Sequence, residues 1–210
     1  MKGGVMRIFR FAALALVAVF LAGCGVNNIP TYDQAMKGKW GEVQNQYQRR
    51  ADLVPNLVET VKGYAQQEKD VLVQVTEARA KATSIQISPD IVNNPEEFAK
   101  YQAAQGQLSQ ALGKLLAITE NYPDLKSNQN FLALQSQLEG TENRIAVARK
   151  DYIDAVQTYN TELVTFPGVF WASTLYSSYK PAASFTADAG AATAPKVNFG
   201  TDQTKTNTGG

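Results

Sequence analysis

The stretch FLALQSQLEGTENRIAVARKDYIDAVQTYNTELVTF, residues 131–166, decides the fold class of this 210-residue chain. Large apolar side chains fall every seven residues, at Phe131, Leu138, Ile145, Tyr152, Tyr159 and Phe166. A companion row of Leu134, Thr141, Ala148 and Ala155 takes the heptad d positions if the first row holds the a positions. A seven-residue period held over five steps predicts a helix from about Ser127 to Val164. Such a stripe packs nearly antiparallel against its neighbours with a left-handed supercoil.

Working back toward the N-terminus, Asn121-Tyr122-Pro123-Asp124 reads as a turn. Before it, Asn94, Pro95, Glu96 and Glu97 give a helix start: a capping side chain, proline at the first position, and acids at the positive end of the dipole. That helix keeps a seam of Phe98, Tyr101, Gln105, Leu108, Leu112, Leu115, Thr119 and Tyr122. The Ser84–Asn94 segment, with Pro89 and Asn93-Asn94, reads as a linker.

Further back, steps of three and four through Trp40, Val43, Tyr47, Val54, Leu57, Val61, Tyr64, Val71, Val75 and Ala78 mark one helix face from Thr31 to about Ala82. Pro55 interrupts that pattern, and a kink or break is expected there, with Asp52 as a cap for the part beyond. A continuous helix of that span would run about 77 Å.

On the C-terminal side, Phe166-Pro167 ends the heptad helix. An aromatic segment follows, with Phe170, Trp171, Tyr176 and Tyr179, expected as a short fourth helix. Its choices are to lie at a membrane interface or to fold over the bundle end and fill the core. Its low cationic content favours the core. Beyond Pro181 the Ala/Thr/Gly/Asn-rich composition predicts a mostly disordered tail, with Val197 and Phe199 as an apolar pair able to dock. The fold expected is all-α: an antiparallel up-and-down bundle of three long helices and a short fourth.

The first residues set location. Lys2, Arg7 and Arg10 precede a 12-residue apolar run, Phe11–Ala22, which is too short to span a bilayer core and suits a signal h-region. The run leads into Leu21-Ala22-Gly23-Cys24, which holds the only cysteine. The tetrapeptide resembles a bacterial lipobox, which implies acylation of Cys24 by fatty acids such as palmitate and cleavage before it. An ordinary cleaved signal or an uncleaved anchor are the alternatives. The division expected is a signal over 1–23, a tether over 24–30, the bundle over 31–180 and the tail over 181–210. Glycine follows the cysteine at Gly25, where by resemblance aspartate signals inner-membrane retention, so the periplasmic face of an outer membrane is favoured in a Gram-negative host.

Cleavage before Cys24 leaves 187 residues with 17 basic and 19 acidic side chains. That balance offers no basic field for nucleic acid. There is no histidine, which removes the commonest general base and metal ligand, along with any Ser-His-Asp or Glu-x-x-His site. With Cys24 acylated, no thiolate is left for catalysis or zinc. No cofactor, metal or catalytic residue is expected, although carboxylate chemistry is not excluded by composition.

Arg49–Glu68 reads RRADLVPNLVETVKGYAQQE. This string resembles the signature of the LemA family, and so do Ala78-Arg79-Ala80, Asn121 to Lys126, Glu139 to Arg149, Tyr159-Asn160, Phe166-Pro167-Gly168, Pro195, Val197 and Phe199. The resemblance covers nearly the whole chain after Cys24. It implies a membrane-tethered helical bundle and brings no established reaction or catalytic set. Many members carry a transmembrane helix where this chain carries the lipobox.

Five charged residues fall on or beside the helical seams: Arg50, Glu68, Arg79, Glu142 and Arg149. They build either a polar site with Glu68 as acid or base, or ion pairs that fix helix register. Register is the better-attested use. The specific expectation is that Glu68 faces an arginine of the heptad helix, Arg144 or Arg149. Glu96-Glu97 is no catalytic pair, because adjacent helical residues diverge by about 100°. The functional expectation is a non-catalytic adaptor or scaffold that binds another protein of the cell envelope. A structural or stress-responsive envelope component comes second, and a carboxylate hydrolase last.

Overall fold

A computed structural model of the protein describes residues 25–85 and 89–186. Among these residues there are six α-helices and no strand: α1 Asn28–Tyr64, α2 Lys69–Ser84, α3 Pro95–Thr119, α4 Pro123–Lys126, α5 Gln129–Val164 and α6 Gly168–Thr174. A 3-10 turn, Pro89–Asn93, leads into α3. The all-α bundle is as expected. Cys24 and the lipobox, and the Val197/Phe199 pair, lie outside the described residues.

The bundle is built on α1, whose 37 residues span about 55 Å. Its buried seam alternates steps of four and three without a miss: Ile29, Asp33, Met36, Trp40, Val43, Tyr47, Arg50, Val54, Leu57 and Val61. That is a heptad seam, and α5 lies antiparallel along it. The register is fixed by contacts at both ends and in the middle: Asn28 to Glu162, Lys39 to Asp151, Arg50 to Glu142 and Tyr64 to Asn128.

Two boundaries differ from expectation. The body starts at Asn28, inside the expected tether, and Ile29 is fully buried. Pro30 belongs to the first turn of α1, where its missing N–H breaks no intrahelical bond. The long first helix also reverses at residues 65–68 and not at Pro55, so α2 folds back as a separate bundle member packed on α1 and α3. The reversal lies where the seam slips phase: Tyr64, next in the alternation, is 44% exposed, Ala65 is buried in its place, and the next buried residue is Leu72.

The α3 start is as expected. Asn94 Oδ1 accepts the N–H groups of Glu96 and Glu97 at 3.2 and 3.3 Å, with Pro95 at the first helical position. Asn128 caps α5 in the same way, accepting from Phe131 N–H at 3.0 Å. Along the heptad row, Phe131 to Tyr159 are buried, whereas Phe166 is 85% exposed because α5 has already ended at Val164.

Residues 181–186 are a further correction, since they do not belong to a loose tail. Ala182 and Phe185 are buried, and the segment forms a strap across the bundle. Tyr152 and Tyr159 hydroxyls donate to the Ala183 and Lys180 carbonyls at 2.7 and 3.0 Å. Asn160 pairs both ways with the Ala182 backbone, and Ala183 N–H donates to the Val92 carbonyl.

Candidate functional site

Arg50 stands at the middle of the α1 seam and is 1% exposed. A buried guanidinium needs partners on every side, because desolvation of an unpaired charge is costly. One terminal nitrogen donates to Ser109 Oγ at 2.6 Å and to Glu142 at 3.0 Å. The other donates to the Gln105 side-chain and backbone oxygens at 2.6 and 3.2 Å. Among the described residues Nε has no hydrogen-bond partner, and the guanidinium lies 5.0 Å from the Tyr47 ring centre. Gln105 reaches on to the Ala82 carbonyl near the end of α2. One layer of polar groups thus ties α1, α2, α3 and α5 together.

This layer floors a cleft of about 360 Å³ between α3 and α5, with Gln102, Gln110 and Arg149 on its walls. Its chemistry is that of a fixed positive charge ringed by amides. A guanidinium does not exchange protons near neutral pH, and Glu142 is 41% exposed at its side chain. Tyr101 borders the layer. Its hydroxyl is pushed well above 10.0, chiefly by burial, against a smaller opposing pull from Arg50. Among the described residues, no group of three or more Asp, Glu, His or Cys could hold a metal ion.

Arg79 does a different task. Proline at position 55 cannot donate to the carbonyl four residues earlier, so Ala51 loses its helical partner. Arg79 Nε, from α2, donates to that carbonyl at 2.8 Å. The helix therefore runs through Pro55 without a break, and the freed carbonyl becomes the point where α2 is fastened.

Glu68 and Arg149 are not brought together. Glu68, half-buried in the α1–α2 turn, accepts from the Tyr122 hydroxyl at 3.0 Å, which raises the Tyr122 pKa. Arg149 lies 4.4 Å from the centre of the Phe185 ring. In the α1–α5 register Arg149 is level with about Gly41, and Glu68 lies in the turn after Tyr64, so the two residues sit about 35 Å apart along the bundle. Arg144 is likewise elsewhere, on Gln46 and Thr141. Both charges do face the bundle, but the antiparallel register sets Arg144 and Arg149 beside the anchored half of α1, whereas Glu68 lies beyond its far end. Of the five seam charges, only Arg50 and Glu142 pair directly.

The ends of the body differ. At the start, Gly25 has φ +92°, a left-handed value that favours glycine, and an added Cβ would lie 3.3 Å from Pro167 Cγ. Glycine after Cys24 therefore has a backbone reason of its own. Nearby, a Cβ on Gly168 would sit 2.0 Å from the Glu162 carbonyl, so α6 is seated where only glycine fits. The aromatic segment divides: Trp171, Tyr176 and Tyr179 pack on the core as expected, while Phe166 and Phe170 are 85% and 54% exposed. At the far end, α1 and α2 border an apolar groove of about 650 Å³, lined by Val58, Leu72 and Val73 and edged by Glu59, Lys62, Lys69 and Glu77. Among the described residues no helix is long and apolar enough to cross a membrane.

A sequence model of the LemA family matches residues 39–199. Magnetosome proteins MamQ 1 and MamQ 2 of Paramagnetospirillum magneticum are each 26% identical over 184 residues, covering 79% of this chain and 67% of the relative. Protein LemA of Metamycoplasma hominis is 23% identical over 124 residues, covering 59% of this chain and 52% of that protein.

Proposed function

The chain belongs to the LemA family, and we propose that it is a membrane-tethered, non-catalytic helical adaptor of the bacterial cell envelope. Cys24 serves as its lipid-attachment residue, and the periplasmic face of an outer membrane is the favoured location in a Gram-negative host. The observation that carries this reading is the separation of the two ends. The chain enters the body at Gly25, directly after Cys24, with no slack before α1. The apolar groove around Val73 lies at the other end, about 45 Å along α1 when Val58 is measured from Asn28. A long spacer with an anchor at one end and an apolar groove with a charged rim at the other suits presentation of a docking surface to a partner helix. The buried polar layer supports a scaffold role, because its central guanidinium and Gln105 together tie four helices.

Photo-crosslinking from position 73 in intact cells tests the proposal, with wild type compared against Cys24→Ala. The same envelope protein should be trapped repeatedly by the wild type and lost from the variant. A correctly localised wild type that traps nothing specific from that groove sinks the adaptor reading.

A further inference from the structure

Among the described residues, exposed large apolar side chains concentrate at the anchored end. Five of the nine large apolar side chains exposed among the described residues fall between positions 164 and 175: Val164, Phe166, Val169, Phe170 and Leu175. On α6 the two faces have different fates. Gly168, Trp171 and Ala172 turn toward the body, where Trp171 and Ala172 pack on the core. Val169 and Phe170 on α6, and Phe166 in the turn just before it, are exposed instead. No acidic residue occurs between Glu162 and Asp188, and Lys180 is the one cation in that interval. A bilayer surface carrying anionic headgroups would not repel this segment.

What covers the face follows from where the preceding chain must go. Gly25 lies against Pro167, in the turn that leads into α6. The apolar run Phe11–Ala22 ends three residues before Gly25. At about 3.5 Å per extended residue, that gap spans at most about 10 Å. Whether the chain is held by a lipid on Cys24 or by the apolar run itself, the bilayer lies within that distance of Pro167. A second copy or the chain's own tail would have to displace a membrane already present.

We propose that Phe166, Val169 and Phe170 insert into the headgroup–acyl boundary of the membrane to which the chain is tethered, so that the bundle stands on a second, non-covalent foot beside its anchor. This rests on the tethering reading above and adds to it an orientation. A short apolar helix face with aromatic side chains seats at the interface, some 5–10 Å into the boundary region. Two attachments side by side hold α1 at a fixed tilt, where a flexible anchor alone would let it swing.

The test uses the full chain reconstituted into phosphatidylethanolamine–phosphatidylglycerol vesicles whose acyl chains are brominated near the headgroup. Phe166→Trp is compared with Val73→Trp; both sites are exposed, so neither substitution disturbs packing, and Trp40 and Trp171 give a shared baseline. Flotation first shows whether the chain is bound. The added emission of Phe166→Trp should fall roughly twofold or more, with Val73→Trp nearly unchanged, because bromine quenches only at close range and interfacial residues sit within it. Bound protein with equal quenching at the two sites overturns the foot and leaves the tether standing; cover by the tail or by a second copy would give that result. Protein that does not float overturns both.

Discussion

The two halves of the bundle are filled differently. From Asn28 to Tyr47, the half near the anchor is aromatic: Trp40, Phe98, Tyr101, Tyr152 and Phe185 form one connected set of rings, with centroids 5.0–6.1 Å apart. From Val54 onward the core is mostly aliphatic, with Leu57, Val61, Leu72, Leu108, Leu112, Leu115 and Leu138, and Phe131 as its only buried ring. The Arg50 layer lies between them. The aliphatic half is closed by helices alone. Large rings hold helices apart, so the aromatic half also needs the 181–186 strap, hung on tyrosine hydroxyls. The lesson is that one continuous seam supports two kinds of packing when a polar layer marks where one stops and the other begins.

Alkali should break this comparison most severely. The Tyr101, Tyr152 and Tyr159 hydroxyls all belong to the aromatic half, and burial raises each one. Tyr159 moves from 10.0 to about 12. Folding favours the neutral phenol, so the stabilisation is fully present below pH 10 and is lost as pH rises through about 12. Ionisation also removes the donors that Tyr152 and Tyr159 give to the strap carbonyls. Ultraviolet titration should show Tyr101, Tyr152 and Tyr159 among the late-ionising tyrosines, together with loss of structure. Hydrogen exchange near pH 11 should show the 181–186 strap opening before the Leu108–Leu115 region. Simultaneous opening of both halves would remove the distinction.

Next in size is the layer itself. Arg50→Ala should destabilise by about 3 kcal/mol, through a cavity and the loss of four hydrogen bonds. Glu142 limits the damage, because its half-exposed carboxylate can turn to water. Arg50→Met keeps the volume and avoids the cavity but leaves the buried Gln105 oxygens without their donor, so a cost of about 2 kcal/mol is expected. Urea midpoints decide this. If Met is as damaging as Ala, the layer is held by its charge and not by its shape.

How much of this was legible in the sequence depends on whether a feature is periodic. The α5 heptads and the α3 start were readable because spacing and cap chemistry are local. The Arg50–Glu142 contact was readable as a class, charges on facing seams. Glu68 and Arg149 were misassigned because partnership depends on the register of α1 against α5, which side-chain contacts distant in sequence set and no local pattern records. Phe185 was hidden for a related reason: its neighbours are small, and the strap is held through backbone carbonyls that no side-chain pattern records.

Pro55 gives the smallest test and the sharpest one. Its position correctly warned of a lost hydrogen bond, yet the helix continues because Arg79 reaches the Ala51 carbonyl. On that account Arg79→Ala should cost about 1–2 kcal/mol, since Ala51 is buried and its carbonyl would be left without a donor. Pro55→Ala restores an N–H to the same carbonyl, so Arg79 then has less to do. In a double-mutant cycle the Arg79→Ala penalty should shrink by about 1 kcal/mol in the Pro55→Ala background. Strict additivity would mean that Arg79 fastens α2 by packing alone, and that the aliphatic half, unlike the aromatic one, needs no help from its backbone to stay closed.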